Sequence, residues 1–256
     1  MSILKTPIVK CVERLRGATK FLPDGLCYLC QQHSNTAVCK VCEQDCLFFN
    51  NHKVAANLLN WPAIKQGLAP GHYQQLCALS YFQWPLDHLI RRFKYGHPSL
   101  AIPLAQWFLR YSLVLSGPLP DCLLPVPISP WRYAKRQYHQ TLLLAEYLGK
   151  QLDIPVIANW AYRRGWQRSQ QTLGRRERLR NLKQAYQLGN VVFPARVALI
   201  DDVVTTGATI ATLSHLIHQI APDTDIVVWS LAVTPAKPDT TLLLPGHQLG
   251  ALATNS

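Results

Sequence analysis

One stretch of thirteen residues restricts the fold of this chain more than any other. Residues 197–209 read Val-Ala-Leu-Ile-Asp-Asp-Val-Val-Thr-Thr-Gly-Ala-Thr, which is an apolar run, two adjacent carboxylates and a loop of small residues. An apolar pattern with helical spacing continues over residues 208–220. We interpret the stretch as a buried strand over residues 196–200 that ends at Asp201 and Asp202 and then turns into a helix. A continuous apolar strand followed by a helix is typical of a parallel sheet buried on both faces.

Apolar strands alternate with amphipathic helices along most of the chain. The predicted strands cover residues 76–82, 122–126, 196–200 and 226–233, and the predicted helices cover residues 85–95, 98–115, 141–152 and 208–220. This alternation predicts an α/β fold with a doubly wound, mostly parallel sheet. Hydrophobic residues make up 48% of the chain and charged residues 16%, which is enough apolar material for such a core and excludes an intrinsically disordered chain.

The loop between the strand and the helix suits a phosphate group. Gly207 lets the backbone approach a ligand closely, and Thr205, Thr206 and Thr209 offer hydroxyl groups. The helix that begins at Ala208 adds free N–H groups and the positive end of its dipole. The stretch contains neither the Gly-Lys-Ser/Thr of a Walker loop nor a GxGxxG dinucleotide pattern. These five residues therefore predict a phosphate cradle of another kind.

Asp201 and Asp202 stand beside this cradle although their charges repel a phosphate. A sugar phosphate explains both features, because its phosphate enters the loop while the carboxylates accept hydrogen bonds from ribose hydroxyls, directly or through Mg²⁺. The alternative interpretation is a helix N-cap turn with incidental aspartates.

The cysteines predict a second site. Of eight cysteines, five lie within residues 27–46. Two CxxC turns, Cys27 with Cys30 and Cys39 with Cys42, provide the four thiolates of a tetrahedral structural Zn²⁺ site, with no open position for a substrate. Metal binding would supply the folding energy of this short polar segment. Cys46 could replace Cys42 as the fourth ligand, and the alternative interpretation is a set of buried or free thiols.

The charge of the chain is uneven. It contains 26 Lys and Arg against 14 Asp and Glu, a net charge of +12, and the whole excess lies in residues 91–183. A basic block of this kind indicates an anionic partner such as phosphate, pyrophosphate or nucleic acid. The alternative is a solvated basic face.

The pattern divides the chain into four parts. We predict an N-terminal amphipathic helix over residues 1–23, a zinc-binding module over 24–60, the α/β domain over 74–236 and a C-terminal tail over 237–256. No apolar run approaches the roughly 20 residues that a membrane helix needs. We therefore expect no membrane insertion and a cytoplasmic location, where thiols stay reduced.

The stretch at residues 197–209 resembles the phosphoribosyl-pyrophosphate (PRPP) motif of type I phosphoribosyltransferases. The whole chain resembles the ComF family, which includes the GntX relatives. The features that carry this resemblance, in chain order, are the CxxC pair, Phe93-Lys94-Tyr95-Gly96, Pro125-Val126-Pro127 with Ser129-Pro130, and Arg178 with Asn181 before Ala185-Tyr186. The resemblance implies a type I phosphoribosyltransferase fold with a small N-terminal four-cysteine module similar to a zinc ribbon.

One loop departs from the family. Where the family has Arg-Gly-Phe-Asn-Gln, this chain has Arg136-Gln137-Tyr138-His139-Gln140. The exchange of Gly for Gln puts the backbone shape of the loop in doubt, and the exchange of Asn for His does the same for its polar contact. The resemblance does not decide between a general base and a satisfied polar contact for His139.

The resemblance also implies roles for individual residues. Asp201 and Asp202 would hold the ribose hydroxyls as the catalytic pair, and Thr205, Thr206, Gly207, Ala208 and Thr209 would hold the 5′-phosphate. The pyrophosphate would be bound by Val126, Pro127, Arg132 and Arg136. A lid that closes over it would carry Arg168, Arg175, Arg176 and Arg178. The implied cofactors are Mg²⁺, bound with PRPP, and the structural Zn²⁺.

Two functions follow from the resemblance. The first is a PRPP-binding protein that acts in DNA uptake during natural competence, with single-stranded DNA, a competence helicase or a recombination mediator as partners. The second is an active phosphoribosyltransferase of nucleotide or amine metabolism without a DNA role. The aromatic side chains that could stack on unpaired bases are Tyr138, Trp160, Tyr162 and Trp166. The alternative interpretation is that they pack in the core or the hood of the fold. The basic residues without a role in the PRPP site are Arg91, Arg92, Arg110, Arg163 and Arg164.

Overall fold

A four-stranded parallel sheet forms the centre of the molecule in the computed structural model, which describes residues 25–49, 57–113, 118–164 and 185–236. The strands are β1 (Gln75–Tyr81), β2 (Cys122–Pro125), β3 (Ala161–Arg163), β4 (Tyr186–Leu188), β5 (Arg196–Val204) and β6 (Asp225–Val233). The order in the main sheet is β1-β6-β5-β2, and every pairing is parallel. Strands β3 and β4 form a separate antiparallel pair.

The helices of the described residues flank this sheet. They are α1 (Lys40–Gln44), α2 (Pro62–Lys65), α3 (Leu86–Lys94), α4 (Ala101–Trp107), α5 (Pro130–Arg136), α6 (Gln140–Leu152) and α7 (Ala208–Ile220), with 3-10 turns at Leu58–Asn60 and Pro98–Leu100 and a π-helix at Phe108–Ser112. The helix predicted over residues 98–115 is therefore three shorter pieces as far as the structure describes it. Helix α4 begins at Ala101, so that Pro103 lies in the first turn, where its missing N–H leaves no helical hydrogen bond unmade.

Both faces of the sheet are buried, because alternate side chains of each strand point to opposite sides. On one face, Val227 and Trp229 of β6 pack in a core with α3, α4 and α6. On the other face, Ile226 and Val228 pack in a second core with α7. This arrangement confirms the predicted α/β class, and it agrees with the type I phosphoribosyltransferase fold that the resemblance implies.

Strand β5 is longer than the sequence predicts. The expectation that the strand ends at Asp201 and Asp202 is wrong, since β5 continues to Val204. The extra residues stay in the sheet because β6 is equally long, with Asp201 opposite Ser230 and Val204 opposite Val233. The two carboxylates thus lie in a regular strand and point to opposite faces, with Asp202 buried and Asp201 partly exposed.

A crevice forms where the chain reverses its direction across the sheet. After β2 the chain passes through α6 to Val156, which makes a parallel bridge with Leu123 on the outer side of β2. After β5 it passes through α7 to β6 on the other side. The carboxyl ends of β2 and β5 lie at this switch point, and open α/β sheets bind ligands in such a crevice.

The cysteine-containing segment packs directly on the sheet domain. Phe48 stacks on Tyr111, with ring centroids 4.4 Å apart, and Glu43 forms an ion pair with Arg110. Phe48 also makes an antiparallel bridge with Ser80 of the edge strand β1. The segment is therefore joined to the α/β domain by apolar, ionic and backbone contacts.

Several sequence predictions fall on residues outside the described part of the chain. They are the N-terminal helix over residues 1–23, the lid arginines Arg168, Arg175, Arg176 and Arg178, the aromatic residue Trp166, and the tail over 237–256. Among the described helices, none has both the length and the apolar character that crossing a membrane requires.

The loop between α5 and α6, where the sequence departs from the family, has a defined shape. Gln137 adopts the left-handed conformation, with φ of +63°, at the position where the family has Gly. His139 is the N-cap of α6, because its Nδ1 accepts a hydrogen bond from the backbone N–H of Leu142 at 3.2 Å. Burial lowers the pKa of His139 to about 4, which keeps this nitrogen an acceptor at neutral pH. His139 is thus a satisfied polar contact in the structure.

We expect Gln137→Gly to stabilise the protein, because Gly enters the left-handed region without the cost of about 1 kcal/mol that a side chain carries there. The gain corresponds to an increase in Tm of roughly 2–4 °C for a chain of this size, measured by differential scanning calorimetry. Gln137→Ala is the matched control, since it shortens the side chain but keeps the strained φ. Equal Tm values for the Gly and Ala variants would contradict this account.

Candidate functional site

The buried carboxylate of Asp202 is held from two sides. Lys94, the last residue of α3, places its Nζ 2.9 Å from Asp202 Oδ1. Gln140, the first residue of α6, donates from Nε2 to Asp202 Oδ2 at 3.0 Å. The carboxylate is therefore fixed between two helices at the carboxyl end of β5, and its burial is compensated by a cation and an amide.

Asp201 has a different environment. Its Oδ1 accepts a hydrogen bond from the backbone N–H of Asp202 at 2.8 Å. Burial and the neighbouring charge of Asp202 raise the pKa of Asp201 to about 7, against the opposing effects of that N–H group, Lys94 and Arg132. Near neutral pH this carboxyl group can therefore either accept or donate a hydrogen bond, which suits it to a hydroxyl ligand.

The loop from Thr205 to Thr209 has the geometry of an anion cradle. Gly207 lies in the left-handed region with φ of +65°, and a Cβ there would approach Leu68 Cδ2 to 3.1 Å. Thr206 O accepts a hydrogen bond from the N–H of Ala69 at 2.7 Å, which fixes the loop from outside. Helix α7 follows with thirteen residues, so its first-turn N–H groups and dipole face the loop.

The loop after β2 lies beside β5 but offers few donors of its own. The N–H of Val126 is committed to Ile200 O at 2.9 Å, and Val126 O accepts from Thr141 Oγ1 at 2.8 Å. Pro127 has no N–H. Val126 and Pro127 can therefore shape a binding loop, while hydrogen bonds to an anion must come from other residues, including the neighbouring side chains.

Helix α5 supplies such side chains. Arg132 and Arg136 project from it, and burial together with the charges of Arg163 and Arg136 lowers the pKa of Arg132. Arg136 Nη1 is buried without a hydrogen-bond partner among the described residues. Its guanidinium lies 5.3 Å from the ring centroid of Tyr95. An unpaired buried N–H group beside other cations has the chemistry of an anion-binding position.

The aromatic side chains predicted to stack on bases have other roles where the structure describes them. Trp160 is fully buried and donates from Nε1 to Pro125 O at 2.9 Å. The hydroxyl of Tyr138 donates to Phe93 O and accepts from the N–H of Gly96. Tyr162 alone of these three is exposed, at 52%. The stacking interpretation is therefore wrong for Trp160, whose ring has no accessible face.

Sequence reasoning missed Lys94 and the support from Leu68 and Ala69. The motif Phe93-Lys94-Tyr95-Gly96 marked the position of Lys94 without indicating its partner. Residues 68 and 69 carry no chemical pattern, so nothing in the sequence pointed to their contact with the loop at Gly207.

The four cysteines of the CxxC turns converge on one point. The sulfur atoms of Cys27, Cys30, Cys39 and Cys42 all lie within 4.8 Å of one another. Cys46 lies outside this group, and its Sγ contacts Cys42 O at 3.5 Å. The geometry selects Cys42 as the fourth member, and the four sulfurs can hold a metal ion such as zinc.

The local electrostatics separate these cysteines. Burial raises the pKa of Cys27, but N–H groups of Cys39, Cys30 and Leu29 outweigh it and lower that pKa to about 6. Burial and two nearby acidic residues raise the pKa of Cys46 to about 12. Cys27 therefore favours the thiolate that a metal requires, whereas burial and the other three cysteines of the cluster raise the pKa of Cys42 as well. The convergence of the four sulfurs, and not the pKa values, distinguishes Cys42 from Cys46.

Comparisons with known proteins identify the family. The chain is 32% identical over 234 residues to Competence protein F of Haemophilus influenzae, a match that covers 87% of this chain and 96% of that protein. The chain belongs to the ComF family. It is also 30% identical over 222 residues to the DNA utilization protein YhgH of Salmonella typhi, covering 82% and 97% of the two chains. No protein-family model matches the chain.

A further relative matches less of the chain. Competence protein ComFC of Streptococcus pneumoniae is 33% identical over 107 residues, which cover 41% of this chain and 45% of that protein.

Substitution of single cysteines in this ComF-family protein tests the metal site. We expect Cys42→Ser to lose bound metal and to lower Tm, because the remaining three sulfurs cannot complete the tetrahedral shell. Cys46→Ser is the matched control and is expected to keep about one metal ion per chain. Metal content is measured by mass spectrometry of the purified proteins. Metal loss in the Cys46 variant together with retention in the Cys42 variant would contradict the assignment.

Proposed function

We propose that this ComF-family protein binds PRPP with Mg²⁺ and acts in the uptake or use of DNA. The observation that carries the proposal is the placement of Asp201 and Asp202 at the switch point of the sheet, directly before the cradle at residues 205–209. A ligand with a diol next to a phosphate fits this arrangement, because the carboxylates accept from hydroxyls and the loop donates to the phosphate.

Each end of PRPP has its own residues in this proposal. Asp201 and Asp202 hold the ribose hydroxyls, and Thr205, Thr206 and Thr209 with the first turn of α7 hold the 5′-phosphate. The pyrophosphate lies between the loop at Val126 and the arginines of α5, and the lid arginines close over it. Mg²⁺ neutralises the pyrophosphate oxygens when it binds with PRPP.

The four-cysteine cluster is proposed to hold a structural Zn²⁺. Four sulfurs saturate a tetrahedral ion and leave no position for a substrate. Tyr28, between Cys27 and Cys30, packs against His97 with ring centroids 5.4 Å apart. The ion thereby supports the turn that follows α3.

The names of the relatives support the DNA role. One is called Competence protein F and another DNA utilization protein YhgH. Arg91 and Arg92 lie side by side on α3 and can meet a phosphate backbone, with Arg91 exposed and Arg92 partly so. The partners we propose are single-stranded DNA together with a competence helicase or a recombination mediator.

An active transferase is the second candidate. The transition state of phosphoribosyl transfer is oxocarbenium-like, and the departing pyrophosphate needs charge stabilisation more than a strong base. Arg132 and the unpaired Nη1 of Arg136 support this candidate because they offer such stabilisation beside the double aspartate. Release of pyrophosphate from PRPP in the presence of nucleobases or amines would identify this activity.

Replacing both carboxylates tests PRPP binding. We expect Asp201→Asn with Asp202→Asn to abolish Mg²⁺-dependent binding of PRPP in isothermal titration calorimetry, because the ribose hydroxyls lose their charged acceptors. Asp223→Asn is the matched control, since Asp223 is exposed and precedes β6, at the amino ends of the strands and away from their carboxyl ends. Equal affinity in the double variant and the wild type would reject the proposed site.

A filter-binding titration with single-stranded DNA at several salt concentrations tests the DNA role. We expect Arg91→Ala with Arg92→Ala to weaken binding and to reduce the slope of log affinity against log salt by about 1.4, the value for two lost phosphate contacts. Lys65→Ala, outside the basic block, is expected to bind as the wild type does. Affinity without a salt dependence would count against contact with the DNA backbone.

A further inference from the structure

Lys94 is charged, ordered and close to the double aspartate, yet the proposed function leaves it without a role. Its ammonium group has three N–H donors, and the ion pair with Asp202 at 2.9 Å uses one of them. The side chain is 19% exposed, and the ammonium group also lies 5.9 Å from the ring centroid of Phe82. Among the described residues, no second hydrogen-bond acceptor contacts the ammonium group.

The backbone around Lys94 is fixed by contacts on both sides. Tyr138 bonds to the carbonyl of Phe93 and to the N–H of Gly96, and so ties both ends of the turn to one side chain. Gly96 has φ of +106°, which turns the chain sharply after α3. Lys94 also lies at the negative end of the α3 dipole, which favours a cation there. These contacts order the ammonium group before any ligand binds.

The residues next to Lys94 in the chain and at Asp202 connect it to α5 and α6. The ring of Tyr95 lies 5.5 Å from Lys135 Nζ and 5.3 Å from the Arg136 guanidinium, both on α5. Gln140, which shares Asp202 with Lys94, precedes Thr141, whose hydroxyl binds Val126 O. Lys94 thus lies beside the buried aspartate, and the ring of the next residue, Tyr95, lies against the cations of α5. The 5′-phosphate loop has different neighbours, Leu68 and Ala69.

We propose that Lys94 is a pyrophosphate-binding residue, with one N–H on Asp202 and the others on the pyrophosphate oxygens of PRPP. The inference rests on the proposed PRPP site and adds a residue to it. Lys94, Arg132 and Arg136 then form a set of cations from two helices around one end of the ligand. The ion pair with Asp202 holds the ammonium group of Lys94 in place and orients it toward the ligand.

Calorimetry with three ligands tests this role in the full chain: PRPP with Mg²⁺, pyrophosphate with Mg²⁺, and ribose 5-phosphate. We expect Lys94→Met to weaken PRPP and pyrophosphate by the same factor of about 10–100, the loss of one charge-assisted hydrogen bond to an anion. Ribose 5-phosphate has no pyrophosphate, and its affinity is expected to stay within about threefold of the wild type. Lys150→Met, on the exposed end of α6, is the control and leaves all three affinities unchanged.

Two outcomes overturn the proposal. Equal losses for ribose 5-phosphate and PRPP would mean that Lys94 only positions Asp202, and unchanged PRPP affinity would mean that it has no role. Lys94→Gln keeps a donor for Asp202 without the charge, and it replaces the Met variant if a lowered Tm shows that the latter does not fold. If the wild type binds PRPP and the double aspartate variant does not, the PRPP site itself is supported. The lack of the expected affinity loss in the Lys94 variants would then refute only the role of Lys94. A wild type that binds no PRPP refutes both.

Discussion

The parallel pairing of β5 with β2 and β6 is the constraint on which the rest of the structure depends. Because β5 stays in register with β6 as far as Val204, the two aspartates lie in a rigid strand whose side chains alternate between faces. Asp202 consequently enters the core between α3 and α6, where only a cation and an amide make its burial acceptable. Asp201 points to the opposite face of the sheet and is partly exposed. The register of β5 thus gives Asp201 and Asp202 different surroundings, although their side chains are identical.

Local patterns in the sequence predicted the strands, the helix and the cysteine turns that depend on neighbouring residues alone. The apolar runs gave the four long strands to within a few residues, and the helix over residues 208–220 has the predicted bounds. The four cysteines of the CxxC turns converge because each turn brings two sulfurs together by itself. The end of β5 was mispredicted because it depends on the length of β6, which no pattern within residues 196–204 encodes.

The contacts that complete the site join parts of the chain that are far apart in sequence. Lys94 meets Asp202, and Ala69 meets Thr206, only because the sheet brings their helices and loops to one edge. The loop with Gln137 illustrates a related point. Gln137 adopts the left-handed backbone although it is not Gly, and His139, two residues later, caps α6. Tertiary context therefore holds a shape that residue preference alone would not predict.

The bridge between Phe48 and Ser80 covers part of the edge strand of the sheet. Strand β1 is the last strand of the sheet on its side, and an uncovered edge strand offers unpaired N–H and C=O groups to other chains. The backbone N–H of Phe49 bonds to Leu79 O at 3.0 Å, so the end of the cysteine-containing segment shields this edge. A metal ion held by the four cysteines would, if it orders this segment, also protect the edge of β1 from pairing with other chains.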